Sequence, residues 1–236
     1  MKGVILAGGT GTRLYPLTKI INKHLLPVGK IPMICHGVEK LRNAGIEEIL
    51  LVIGKHSAGL YTELLGGGKE WGVRITYKIQ EEAGGIAQAL SLAEPIMKPD
   101  EKFVVLLGDN LFENPLTTYV QSFREQAEGA RVLLKKVHDP KRYGVPILEE
   151  DKILMIEEKP EKPKSDFCVT GIYMYDTAVF DKIRTIKPSG RGELEITDVN
   201  NVYASEGQLA YDVLDGWWTD AGTFQSLHQA SDRLMK

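Results

Sequence analysis

The chain has 236 residues, 43% of them hydrophobic, and a formal net charge of −3. That suits one good core with a lobe beside it, and the weak negative charge argues against nucleic acid or an anionic membrane as the main partner. Cys35 and Cys168 lie far apart with no CxxC spacing, which suggests neither a zinc site nor a disulfide framework and reads as two small buried residues.

Short β-branched runs alternate with amphipathic stretches along the first half. "GVILA" (3–7), "EILLVIG" (48–54), "RITYKI" (74–79) and "FVVLLGD" (103–109) read as strands. Most are apolar on both faces, the pattern of a parallel sheet covered by helices. Residues 32–45 read as a helix through Ile34, Val38 and Leu41, stopped at Gly45. Residues 85–95 and 114–129 give two more, the second with proline in its first turn. After residue 130, "RVLLKKV", "GVPILE", "KILMIEEK" and "FCVTGIYMYD" are strands with fewer helices between them, which predicts antiparallel additions. Helices are expected over 175–186, 193–207 and 220–236. Without linker or repeat, residues 1–236 read as a single domain, with a division near 130. The fold expected is α/β, a mostly parallel, Rossmann-like central sheet with an antiparallel part appended. No run nears the ~18 apolar residues of a membrane span. The apolar start is shorter than a signal peptide's core of about 7–15 residues, so a soluble cytoplasmic protein is expected.

The stretch "LAGGTGTRLYPLT" (6–18) follows the first strand and predicts a strand–loop–helix context, in which bare backbone N–H groups can approach phosphate oxygens. No Gly-Lys-Ser/Thr follows, so it is not a Walker A loop. The dinucleotide fingerprint fails at its third glycine, where Leu14 stands, which disfavours a nicotinamide-dependent oxidoreductase. Glycines alone would describe a turn. Arg13 adds a guanidinium fork for phosphate, and Lys23 supplies a second cation ten residues on. Asp109 ends an apolar strand and, taken alone, could equally cap a helix. The five histidines are scattered without ligand spacing.

With "NKHLLPV" and "PM" behind it, this stretch resembles the signature of the sugar-nucleotide pyrophosphorylases, the nucleoside triphosphate:sugar-1-phosphate nucleotidyltransferases. "QEEAGGIAQAL" (80–90), "LLGDN" (106–110), "RYGV" (142–145), "EEKP" (157–160), "VTGIYMYD" (169–176), "RGELEITDVN" (191–200) and "WWTDAGT" (217–223) follow in the family's order. They narrow the resemblance to the thymidylyltransferases that act on glucose 1-phosphate.

The resemblance implies the nucleotide-diphospho-sugar transferase fold, with a nucleotide-binding part over about 1–130 and a sugar-phosphate part over about 131–236. It implies dTTP and glucose 1-phosphate as substrates, dTDP-glucose and pyrophosphate as products, and a homo-oligomer. Leu6, Gly8, Gly9, Thr10, Gly11, Thr12, Arg13, Lys23, Gln80, Gly85 and Asp109 would hold the nucleotide. Gln80 and Gly85 would read the base. Asn110, Gly144, Glu158, Lys159, Val169, Tyr173 and Arg191 would surround the sugar phosphate. Arg13, Lys23, Lys159 and Arg191 would carry the catalysis, while Asp109 and Asp220 would hold Mg²⁺. Such chemistry needs cations, backbone N–H groups and a hard metal rather than a histidine or serine, as the residues quoted supply.

His24 stands where the family commonly has glutamine or proline. Lys30 belongs to "GKIPM", which replaces Asp/Asn-Lys-Pro, and Ala221 stands where longer relatives often carry threonine. Those relatives continue with helices that build an effector site and part of a tetramer interface. The expectation is that this chain lacks that site, so that dTDP-rhamnose would compete with the triphosphate. The alternatives are a UTP-dependent uridylyltransferase and, from another class, a non-catalytic sugar-nucleotide sensor.

Overall fold

The structure is a computed structural model and describes residues 1–235. The apolar run behind Met1 forms strand β1 (Lys2–Ala7), buried from Gly3 onward. The loop behind it does not open a helix. Three single 3-10 turns follow, at Thr12–Leu14, Leu17–Lys19 and Lys23–Leu25, which corrects the strand–loop–helix expectation. Pro16 is the physical reason. It offers no N–H to a helical ladder, and its ring keeps Tyr15 extended, at φ −61° and ψ 136°. Leu14 fills the core instead, fully buried.

A short ribbon of β2 (Pro27–Val28) and β3 (Ile31–Pro32) leads to the first long helix, α1 (Met33–Asn43). Ile34, Val38 and Leu41 form its buried face, as their spacing predicts, and Gly45 at φ +75° closes it. Next come β4 (Glu48–Gly54), α2 (Ala58–Leu65) and β5 (Arg74–Gln80). The expected helix over 85–95 is shorter, α3 (Ile86–Ser91), because a 3-10 turn containing Pro95 takes over. β6 (Phe103–Leu107) and β7 (Asn110–Phe112) precede α4 (Thr117–Glu125). Pro115 therefore lies ahead of that helix rather than in its first turn. The Lys102 ammonium closes the far end of α4, donating to the carbonyls of Phe123 at 3.0 Å and Arg124 at 3.2 Å.

The strands β8 (Ala130–Lys136), β9 (Gly144–Glu149), β10 (Lys152–Glu158) and β11 (Phe167–Tyr175) follow. The chain continues through α5 (Val179–Thr185), α6 (Ile196–Ser205), β12 (Leu209–Val213), β13 (Trp218–Asp220) and α7 (Phe224–Leu234).

These elements form two compact units, and the chain passes between them several times. The first holds Met1–Ala83, Leu106–Thr117 and the residues from Gly216 on; the second holds Gly84–Val105 and Thr118–Asp215. The division expected near residue 130 falls inside the second unit. In the first, β1, β4 and β5 are parallel in that order. β7 and β13 pair antiparallel, with Asp220 opposite Asn110. In the second, the order is β12-β8-β11-β6. β8 and β11 are antiparallel, as are β9 and β10, but β12 runs parallel to β8. The antiparallel pairing expected of the four strands after residue 130 holds, and β12, a strand the sequence did not predict, adds a parallel neighbour. An aromatic stack anchors this unit. Phe103 lies 5.8 Å from Phe180, and Tyr175 lies 5.9 Å from Tyr203. The buried Tyr175 hydroxyl donates to Asn200 at 2.6 Å. The fold is α/β, with a mostly parallel sheet and flanking helices. Cys35 and Cys168 are buried thiols. Among the described residues no helix is long and apolar enough to cross a membrane.

Candidate active site

The glycine loop sits at the carboxyl ends of β1, β4 and β5, the edge of a parallel sheet where ligands are usually bound. Gly8 makes room for its neighbour. A Cβ there would lie 2.0 Å from the Gln80 amide oxygen. Gln80 ends β5 and is buried, so its amide rests against bare Gly8 backbone. Leu6 is buried in β1, and its carbonyl accepts from the Gly108 N–H at 2.9 Å. Gly11 takes a left-handed conformation at φ 70°, which only a residue without Cβ adopts cheaply.

Two cation–carboxylate pairs flank the loop. Lys23 Nζ lies 2.5 Å from Asp109 Oδ2, each side chain only 12% exposed. Arg13 Nη2 lies 3.9 Å from Asp220 Oδ2. Asp109 follows β6 through Gly108 and leads into a strand, so the helix-cap reading does not hold. Its backbone carbonyl accepts from Ala221 at 2.8 Å, which ties it to the ribbon that carries Asp220. Burial alone would raise the Asp109 pKa. The adjacent Lys23 charge, helped by hydrogen bonds from Lys23 and Asn110, outweighs that and holds the carboxyl well below the usual carboxylate range. Asn110, expected near the sugar, donates to Asp109 Oδ1 at 3.1 Å and accepts from the Trp218 indole at 2.8 Å.

His24 is 2% exposed and turned inward, toward Asn22 and Tyr61. Burial, helped by the Lys23 charge, pulls its pKa down to about 3. Neutral at physiological pH, it leaves Lys23 without a charged rival for Asp109. Lys30 is exposed in the turn between β2 and β3. Ala221 is fully buried beside Val28, Met33 and Leu111, an apolar setting that accounts for a residue without a hydroxyl.

Among the described residues no three His, Cys, Asp or Glu side chains gather as a metal centre. Two carboxylates brought near each other on one ribbon, each beside a cation, still fit a hard divalent ion that completes its shell with phosphate and water oxygens. They would fit zinc poorly, since it wants nitrogen or sulfur ligands.

The second unit holds a separate charged arrangement. Glu158 ends β10 opposite Gly144 of β9. The Lys159 ammonium lies 2.8 Å from its Oε1, and the Thr197 hydroxyl donates to its Oε2 at 2.6 Å. Lys159 has φ +46°, a left-handed backbone unusual for a side-chain-bearing residue. Its N–H donates to the Tyr143 carbonyl at 3.0 Å. Arg191 reaches Glu195 at 2.9 Å, Glu193 at 3.4 Å and Glu158 at 4.0 Å. A Cβ at Gly144 would lie 3.3 Å from Thr197 Oγ1 and 3.6 Å from Glu158 Oε2, so glycine keeps the carboxylate open on that side. Val169 and Tyr173 are buried in β11, at the break in its pairing with β8. Gly85 caps α3 at φ +98°, and a Cβ there would meet the Leu194 carbonyl at 2.5 Å. Gln80 belongs to the first unit and Gly85 to the second.

Sequence reasoning passed over Asn22, Tyr61, Thr197 and Trp218. Asn22 opens the quoted "NKHLLPV", Thr197 lies within "RGELEITDVN" and Trp218 within "WWTDAGT", so the motifs cover three of the four without indicating their partners. The contacts Asn22–Tyr61, Thr197–Glu158 and Trp218–Asn110 span 39 positions or more, which no local pattern reports.

Residues 2–236 match the nucleotidyl transferase family. Over 237 residues, 98% of this chain and 79% of the relative, it is 45% identical to the glucose-1-phosphate thymidylyltransferase of Xanthomonas campestris pv. campestris. Among solved structures, a Bacillus anthracis candidate glucose-1-phosphate thymidylyltransferase in complex with sucrose superposes with a TM-score of 0.96 at 54% identity. That match covers 100% of this chain and 96% of the other. A UDP-glucose pyrophosphorylase complexed with UDP-glucose has a TM-score of 0.86 at 26% identity, over 98% and 97% of the two chains. A glycine loop flanked by two cation–carboxylate pairs, together with matches of this length, makes the chain a member of the nucleotidyl transferase family.

Proposed function

We propose that the chain transfers a thymidylyl group from dTTP to α-D-glucose 1-phosphate, giving dTDP-glucose and pyrophosphate with Mg²⁺ as cofactor. The observation that carries this reading is the pairing of Lys23 with Asp109 beside the glycine loop, a preformed cation and carboxylate where a triphosphate and its metal need both. A phosphate monoester with second pKa near 6 is already largely dianionic at neutral pH. Its oxygen therefore attacks the α-phosphorus without a general base, and the bond to the leaving pyrophosphate breaks in line. The protein's task is positioning and charge stabilisation.

In this reading the Gly8–Thr12 backbone and Arg13 hold the triphosphate, with Arg13 following the pyrophosphate. Lys23 contacts the phosphates near the reacting phosphorus. Lys159 and Arg191 hold the sugar phosphate, while Gly144, Glu158, Val169 and Tyr173 surround the glucose. Asp109 and Asp220 would hold Mg²⁺, which, when bound, neutralises charge on the phosphate oxygens. Gln80 and Gly85 read the base. Higher identity to thymidylyltransferases than to the UDP-glucose enzyme supports dTTP over UTP.

The test is pyrophosphate release with glucose 1-phosphate against dTTP, UTP, dCTP and ATP, with and without Mg²⁺. The expected result is Mg²⁺-dependent turnover, highest with dTTP. Faster turnover with UTP would favour the uridylyl reading. Nucleotide binding without release from any triphosphate would favour the sensor.

A further inference from the structure

The loop expected to cradle the triphosphate has almost no side chains of its own to hold it. Gly8, Gly9 and Gly11 make it costly to order, because glycine backbone loses the most freedom on fixing. What orders it comes from outside. The Asn22 side-chain amide donates to the Gly9 carbonyl at 3.0 Å. The Thr18 hydroxyl donates to the Gly11 carbonyl at 2.8 Å, and the Leu14 N–H reaches the same oxygen at 2.9 Å.

In a trans peptide the carbonyl and the following N–H point in opposite directions. Fixing the Gly9 carbonyl on Asn22 turns the Thr10 N–H to the other side of that peptide. Fixing the Gly11 carbonyl on Thr18 does the same for the Thr12 N–H. The Asn22 amide is itself held. Its Oδ1 accepts from the His24 backbone N–H at 3.1 Å and from the Tyr61 hydroxyl at 3.0 Å, and lies 2.7 Å from His24 Nδ1. Since Asn22 presents its oxygen there, His24 Nδ1 must carry the proton. The fully buried Tyr61 also lies 3.3 Å from the Ala7 carbonyl, at the end of β1. The same loop wraps Lys23. A Cβ at Gly9 would lie 3.9 Å from its ammonium, and one at Gly11 would lie 3.0 Å from its Cβ.

We propose that Asn22, braced by His24 and Tyr61, and Thr18 are positioning residues. By gripping the carbonyls of Gly9 and Gly11 they present the N–H groups of Thr10 and Thr12 to the phosphates of the nucleotide. This inference rests on the nucleotidyl-transfer reading above. It assigns His24 an inward role, bracing Asn22, in place of direct contact with the nucleotide.

The test compares equilibrium binding of dTTP and of thymidine, which has the base and no phosphates, across variants of the full chain. Losing one such hydrogen bond should weaken dTTP binding about 10-fold in Asn22→Ala and roughly 3- to 5-fold in Thr18→Val, with thymidine moved less than 2-fold. Thr18→Ser keeps the hydroxyl and should restore wild-type affinity. Tyr61→Phe should fall between wild type and Asn22→Ala. Unchanged dTTP affinity in Asn22→Ala and Thr18→Val would overturn the proposal, as would equal losses for dTTP and thymidine. If Asn22→Ala fails to fold, the Thr18→Val and Thr18→Ser pair, at a half-buried surface position, decides alone. A wild-type chain that binds no dTTP overturns the functional reading as well. One that binds dTTP while the variants bind it equally overturns only the positioning role.

Discussion

Lys23 and Asp109 of the first unit each expose 12% of their side chains, whereas Lys159, Arg191 and Glu158 of the second expose 43%, 52% and 31%. The buried pair is a fixed piece of electrostatics. Low surrounding polarity strengthens it, and neither partner can lose the other cheaply. The exposed group is a different device. Glu158, Glu193 and Glu195 share Arg191, and Asp198 nearby has its pKa raised by burial and by the Glu195 and Glu158 charges. Solvent screens the contacts with Glu158 and Glu193, so each of those is worth little on its own, whereas Glu195, with only 11% of its side chain exposed, holds Arg191 more firmly at 2.9 Å. In the reading proposed above, an arriving phosphate dianion takes the cations from Glu158 and Glu193, which lose little in giving them up, and competes with the buried Glu195 for Arg191. The charge pair of the first unit is fixed in place; in the second, only the hold of Glu195 on Arg191 is comparably shielded.

The comparison breaks most sharply at Asp109. Asp109→Asn keeps the shape and removes the charge that faces Lys23 and would face Mg²⁺. Turnover should fall on the order of 10²-fold or more, if the ion stabilises several kcal/mol of developing charge. Asp220→Asn should behave similarly, and the double variant should be little worse than either, since both act through one ion. Full Mg²⁺-dependent activity in either single variant would remove that residue from the metal site. The same substitution has a pH signature. The folded pKa of Asp109 is depressed, so its contribution to stability is complete above the unfolded value of about 3.9 and is lost as pH falls toward the folded value. Denaturation of wild type and Asp109→Asn should thus differ by a constant amount from pH 8 to 5. The difference should shrink only below about pH 4; a gap that closed by pH 6 would contradict the depressed pKa.

Sequence legibility cuts across the two units and follows local pattern instead. The long strands and α1 were readable because five buried residues in a row, or apolar residues three and four apart, leave a local signature. α2 was not, because an eight-residue helix with only Tyr61 and Leu65 buried, set among glycines, gives too few points for a period. β12, in "QLAYDVLD", carries half-buried residues and shows its role only by lying parallel to β8. At the site, family motifs identified Asp109 and Asp220. What brings them together is a three-residue ribbon, Trp218–Asp220 on Asn110–Phe112, and strands so short have no periodicity to read. Asn22 and Tyr61 meet across 39 positions. Their contact is tertiary, and Asn22 looks locally like an ordinary turn residue.

In the second unit, losing an exposed cation should cost less than losing Asp109. Arg191→Ala should raise the KM for glucose 1-phosphate about 10- to 30-fold with a smaller change in kcat, because the phosphate loses one charge-assisted contact of about 1.5–2 kcal/mol. Arg191→Lys should recover only part, since an ammonium cannot reproduce the fork. A KM for dTTP raised as much as that for the sugar phosphate would contradict the assignment of Arg191 to the sugar phosphate.

The smallest expected effect concerns the base. The thymine methyl adds at most about 0.8 kcal/mol of apolar burial, so dTTP should exceed dUTP in kcat/KM by no more than ~4-fold. Cytosine should fall much further, because buried polar groups left unpaired cost about 1–3 kcal/mol each. That larger gap needs a Gln80 amide of fixed orientation, since a freely turning amide could satisfy cytosine too. Gly8 makes the present position of the amide possible, because its oxygen occupies the space a Cβ would take, 2.0 Å away. Gly8→Ala must push Gln80 aside, and the end of a glutamine side chain can move without unfolding the loop. The dTTP-to-dCTP ratio should therefore shrink in Gly8→Ala as it does in Gln80→Ala, while the dTTP-to-dUTP ratio stays within its ~4-fold limit, set by the methyl group alone. Measuring kcat/KM for the three nucleotides in both variants separates the two causes. A dCTP ratio unchanged in Gly8→Ala but lost in Gln80→Ala would mean that something other than the bare backbone of Gly8 holds the amide.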